Sequence, residues 1–110
     1  MEVHRAIGPG LVESVYLRCL CRELRLRQVA FQIEVLVPLR YTGEEIGADY
    51  RIDLLVEQCV IVELKSVAEI LPVHEAQLLT YLRLTNLWLG LLINFNVPTL
   101  VKGLRRLVNG

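Results

Sequence analysis

The apolar and polar positions change rhythm several times along the chain, and each change predicts an element. After the break Gly8-Pro9-Gly10, residues 11–28 are rich in good helix formers. At about 100° per residue, Val12, Tyr16, Leu20 and Leu24 share one stripe, while Arg18, Arg22 and Arg25 face away, so an amphipathic helix is expected. Residues 2–7 read as the stub of a preceding helix. The period then drops to two: Phe31, Ile33, Val35, Val37, Leu39 and Tyr41 alternate with Gln32, Glu34, Leu36, Pro38 and Arg40. That is the pattern of a half-buried strand, and its proline favours an edge position or a bulge. A turn at Thr42-Gly43-Glu44-Glu45 leads to a second strand near residues 48–56. Another at Glu57-Gln58 leads to a third over residues 59–66, which completes an antiparallel meander. Pro72 suits the first turn of a helix running to about Asn86. Residues 87–95 form an almost wholly apolar run typical of a buried strand, and residues 100–108 add one more. The order of helix, three-stranded meander, helix and strand predicts an α/β (α+β) sandwich, one mixed sheet flanked by helices.

Length and composition narrow the picture. A chain of 110 residues, 54% hydrophobic and 22% charged, is expected to be a single folded domain over 1–110. Its formal net charge of zero supplies no general positive field, so any nucleic-acid binding must be local or assisted. Cys19, Cys21 and Cys59 form no CxxC pair and read as small buried apolar residues. The first residues lack the apolar stretch of a secretory signal, and no run reaches the roughly 18 apolar residues of a membrane span. A cytoplasmic location with no membrane partner is therefore expected. Positive mean hydropathy suggests more apolar surface than a monomer hides comfortably, with a homodimer as one way to cover it. Trp88 is assigned to the core.

The third strand carries the first chemical signal: Val60-Ile61-Val62-Glu63-Leu64-Lys65 places opposite charges inside an apolar run, where burying either alone is expensive. Strand positions two apart share a face, so Glu63 and Lys65 project together, about 7 Å apart. Alone, this pair reads as the solvent-facing edge of a strand. Asp53 shifts the balance, because the turn at Glu57-Gln58 sets it opposite Glu63 or one residue away. Two carboxylates with a carbonyl and waters suit magnesium, and a neighbouring lysine can orient water or stabilise phosphoryl charge. Glu13 falls in the sector of Val12, Tyr16 and Leu20, where an acid needs a cation, a donor or a proton. On the later helix, His74, Gln77, Tyr81 and Thr85 lie on one narrow polar line, which by itself fits a hydrogen-bonded seam or a dimer contact. With His4 the only other histidine, no spacing supports a zinc site.

Gly10-Leu11-Val12-Glu13-Ser14-Val15-Tyr16 resembles the GxxExxY signature of the GxxExxY protein family, placed in the PD-(D/E)xK nuclease superfamily. The resemblance continues through residues 50–56, 61–65, 74–81 and 91–96, nearly the whole chain. It implies a restriction-endonuclease-like core and a metal-dependent nuclease that hydrolyses phosphodiester bonds with Mg2+ or Mn2+. Nucleic acid is the implied partner, with DNA favoured over RNA. By this resemblance Asp53, Glu63 and Lys65 occupy the metal and water-activating positions, and Glu13 is the acid that some branches supply from the first helix. Gln77 and Tyr81 resemble the Q-x-x-x-Y element of exonuclease-like branches. There the glutamine lies beside the metal, and Tyr16, His74 and Tyr81 are supporting or phosphate-contacting residues. Relatives usually carry a longer helix before Val3-His4-Arg5, so a shortened start or a fragment is expected. A catalytically silent or partner-dependent binding and assembly module of the same fold is the competing reading.

Overall fold

Helices and strands fall close to where the rhythm changes. The structure, a computed structural model, describes residues 2–110; the side chains of residues 40, 41 and 45–49 lie outside that description, and with them the expected sides of Arg40 and Tyr41. The elements are α1 (Glu2–Ile7), α2 (Glu13–Leu26), β1 (Phe31–Tyr41), β2 (Glu44–Val56), β3 (Val60–Lys65), α3 (Pro72–Thr85), β4 (Leu89–Asn94), a 3-10 turn (Leu100–Gly103) and β5 (Leu104–Val108). The strands of the described residues form one mixed sheet in the order β1-β2-β3-β4-β5. Only β3 and β4 run parallel, and α3 makes the crossover between them. Both meander turns use left-handed pairs that match strand twist: Thr42 (φ 51°) with Gly43 (φ 82°), and Glu57 (φ 53°) with Gln58 (φ 57°). Pro38 sits in an edge strand, beside a register shift between Val37 and Leu39.

The sheet separates two cores. On the α2 side Tyr16, Leu20 and Cys21 pack on Leu54, Val62, Leu64, Ile93 and Phe95. On the α3 side Leu78, Tyr81 and Leu82 pack on Val37, Ile52, Ile61 and Leu92. Gly90 lets α3 approach this face, since a Cβ there would stand 2.9 Å from the Leu78 side chain.

Simple alternation fails at one point. Leu54 belongs to the α2-side core and Ile52 to the α3-side core, although residues two apart on a flat strand share a face. The partner strand turns over with it: Ile33 pairs with Leu54 and borders α2 residues, whereas Val35 pairs with Ile52 and packs on the α3-side core. The reversal falls at Asp53 and Glu34, and Glu34 adopts a left-handed φ of 51°. The single alternating face expected over residues 31–41 is therefore two half-faces of opposite sense.

Other expectations are corrected here. Trp88 is 57% exposed, because it precedes β4 instead of entering the sheet. Cys59 lies exposed in the turn before β3, while Cys21 is buried and Cys19 partly so. Glu13 is the first residue of α2 and is exposed, as is Val12 before it, so the core-facing stripe begins only at Tyr16.

Candidate active site

The β2–β3 ladder pairs Val56 with Val60, Leu55 with Ile61 and Leu54 with Val62, and the regular pairing ends there. At the next position the two acidic side chains take over the work of backbone groups. The Leu64 N–H donates to Asp53 Oδ2 at 2.8 Å, and the Asp53 N–H makes a long bond to Glu63 Oε2 at 3.4 Å. The strand reversal at Asp53 thus puts its carboxylate beside Glu63. Asp53 and Glu63 are brought together as the turn geometry implied, and Lys65 follows two residues further along β3.

Glu63 is 6% exposed, and its Oε1 is buried with no hydrogen-bond partner. Burial, then the hydrogen bond and negative charge of Asp53, push its carboxyl up to about 9, against smaller opposing effects of the Asp53 amide and the Lys65 ammonium. Tyr81 is pushed up to about 12, first by burial and then by the charges of Glu63, Asp53 and Tyr50. A buried carboxyl that holds its proton, with another carboxylate adjoining it, is a place where a cation can substitute for that proton. No group of three or more His, Cys, Asp or Glu side chains able to hold a metal forms among the described residues. The donor set is therefore an oxygen pair with one orphaned oxygen. It fits a hard ion such as magnesium, which is commonly held by one or two carboxylates and keeps several waters.

The remaining sequence-derived residues fall in other clefts and packing contacts. Glu13 lines a cleft of about 510 Å³ with Gly10, Leu11, Val12, Ser66 and Asn96, so it stands beside the residue that follows Lys65. Tyr16 is fully buried and stacked on Phe95, with ring centroids 4.3 Å apart. Its hydroxyl donates to Gly8 O at 2.6 Å and accepts from the Leu11 N–H at 3.2 Å, so it shapes the glycine turn leading into Glu13. His74 Nδ1 accepts from the Leu71 N–H at 3.0 Å, closing the first turn of α3. Gln77 is exposed on a groove of about 300 Å³ that it shares with Tyr50, His74, Thr80 and Tyr81.

Two contributors went unassigned in the sequence reading. Asn94 is 1% exposed; its amide donates to Val67 O at 2.9 Å and accepts from the Val67 and Asn96 N–H groups at 3.1 and 3.2 Å. It clamps the segment leaving β3 just past Lys65. The signal was two asparagines, Asn94 and Asn96, closing an apolar run. Tyr50 is the other, its ring set edge-on to Tyr81 with centroids 6.0 Å apart.

The acid pair thus lies where the β2–β3 pairing ends, with a lysine two residues further along β3, on an α+β sheet. A family model of the PD-(D/E)XK nuclease superfamily matches residues 1–107, and the chain belongs to that superfamily. The mixed sheet with flanking helices agrees with its restriction-endonuclease-like core. A search of curated proteins finds no match, and a search of solved structures finds none. Membership supports a nuclease-like function acting on nucleic acid, and proteins of the superfamily typically use divalent metals. No described helix is long and apolar enough to cross a membrane.

Proposed function

We propose that this chain is a magnesium- or manganese-dependent nuclease of the GxxExxY branch, hydrolysing phosphodiester bonds of DNA or RNA at the Asp53–Glu63–Lys65 site. The observation that carries the reading is the orphaned, buried Glu63 Oε1 beside the Asp53 carboxylate. Asp53 and Glu63 would hold the ion, which when bound supplies Lewis acidity toward the phosphate and toward a water. Asp53 is aimed by its bond from the Leu64 N–H, so little reordering precedes binding. Lys65, on the same strand face as Glu63, positions the attacking water and offsets charge gathering on the phosphate. Buried Tyr81 shields the inner side of the pair from bulk water. Glu13 orders water or a second contact from its neighbouring cleft, and Gln77 meets the substrate from the groove.

Cleavage of linear and circular DNA and of RNA, with each metal and with wild type, Asp53→Asn and Lys65→Ala, tests the assignment. Metal-dependent cutting by wild type and a loss of at least about a hundredfold in both variants are expected. Cutting that persists in both discards it.

The neutral net charge and the placement of Glu13 in a separate cleft favour a second reading, a binding or assembly module that retains the fold. Calorimetry separates the two: binding of magnesium or manganese that Asp53→Asn abolishes supports the enzyme, whereas no heat at millimolar metal supports the module.

A further inference from the structure

The groove between β2 and α3 presents an aromatic face beside the acid pair. Tyr50 is 40% exposed, yet its ring is braced at 64° against Tyr81, which is 4% exposed. A ring held by a buried partner loses little freedom when something flat packs on it. Tyr81 in turn packs in the same core cluster as Ile52 and Ile61, whose neighbours along β2 and β3 include Asp53 and Glu63. Tyr81, which lines the groove, also feels the charges of Glu63 and Asp53, so groove and acid pair meet at this residue.

The other groove residues suit the edge of a heterocycle. His74 uses Nδ1 to accept from Leu71, which fixes the tautomer with Nε2–H as a donor. Gln77 offers an exposed amide with both donor and acceptor atoms. Among the described residues no Asp, Glu, Lys or Arg lines the groove, so those that do line it neither repel a polyanion nor capture a phosphate in place of a base. A volume of about 300 Å³ is at the small end of ligand pockets and admits a single base, not a duplex. Base faces inside a duplex are covered by their stacked neighbours, and only an unpaired or terminal base can lay its face on a side chain.

We propose that this groove is a single-strand site, in which an unpaired nucleobase of the substrate stacks on Tyr50 while its edge meets Gln77 and His74. The proposal rests on the nuclease reading for its substrate class and adds a preference for single-stranded ends or gaps over intact duplex.

The test is a binding measurement with chelator present, so that no cleavage occurs. A short DNA strand with a terminal 2-aminopurine is titrated with the protein, alongside its blunt duplex and the matching RNA strand. Wild type is expected to bind the strands at least about tenfold more tightly than the duplex and to quench the probe. Tyr50→Leu is expected to lose about tenfold in strand affinity and the quenching, whereas Tyr50→Phe retains both. Gln77→Ala, on the exposed face of α3, is expected to weaken binding without abolishing the quenching. Equal affinity for strand and duplex, or strand binding unchanged in Tyr50→Leu, overturns the proposal. Circular dichroism and thermal melting of each variant establish that it is folded. The two readings fail separately: a protein that cuts through Asp53 but ignores Tyr50→Leu keeps the nuclease assignment and loses the groove. One that binds strands through Tyr50 but never cuts does the reverse.

Discussion

Glu63 is where the electrostatics of the molecule are least balanced. Its carboxyl is raised from 4.5 to about 9, chiefly by burial and then by Asp53. The folded chain therefore holds a proton that the unfolded chain releases, and between about pH 4.5 and 9 metal-free stability falls as pH rises. Glu63→Gln removes the titrating group while keeping its shape. Thermal melts in chelator should show wild type losing stability across this window and Glu63→Gln nearly flat by comparison, and more stable than wild type at pH 8. Added magnesium should restore wild type at pH 8 and leave the variant unchanged. Calorimetry in buffers of different ionisation enthalpy should also find proton release on metal binding, because the cation takes the proton's place. Equal pH slopes for wild type and Glu63→Gln would contradict this account. That Glu63 and Lys65 are charges inside an apolar run was legible in the sequence, where the pair alone reads as a solvent-facing edge; the burial of Glu63 is the structure's. That Glu63 lacks a partner for one oxygen was not legible there, since it depends on how the β2–β3 ladder ends.

At the scale of elements, the decisive feature is the reversal of β1 and β2 at Glu34 and Asp53. Glu34 pairs with Arg51 at 3.5 Å, but both side chains are more than half exposed, so that ion pair adds little. What its position demands is the left-handed backbone, φ 51°. Glu34→Gly should therefore be neutral or stabilising, whereas Glu34→Val should cost about 1–2 kcal/mol in denaturant unfolding, since branched side chains resist that conformation. If valine is tolerated as well as glycine, the reversal is not held at this residue. Periodicity located nearly every helix and strand, and the meander followed from two turns. The reversal escaped it because each half of β1 still alternates, and the exchange of faces is visible only once α2 and α3 cover opposite sides. The exposure of Glu13 escaped for a similar reason: its angle on α2 is that of Tyr16 and Leu20, but the helix projects past the sheet at its first turn.

For the whole molecule, charge is neutral in sum but not in distribution. The chain carries twelve acids and twelve Lys or Arg, yet after Glu75 it has Arg83, Lys102, Arg105 and Arg106 and no acid at all. These four cations, on a stretch with no acid, are taken as the phosphate-contacting set. Binding to a single strand should weaken with salt at a slope no steeper than about −4 in log affinity against log concentration, and more gently still in a Lys102→Ala, Arg105→Ala, Arg106→Ala triple variant. A steep slope that survives this triple change would locate the phosphate contacts elsewhere. The sequence by itself determined the element order and the candidate acids, because burying an apolar stripe and turning a hairpin are local requirements written in spacing; the division into two cores came only with the structure. Only the tertiary structure decided which of those acids meet. Asp53 reaches Glu63 because strand reversal and a terminated ladder leave the Leu64 N–H for a carboxylate to take, whereas Glu13 and Gln77 open onto separate hollows shaped by how the helices pack on the sheet.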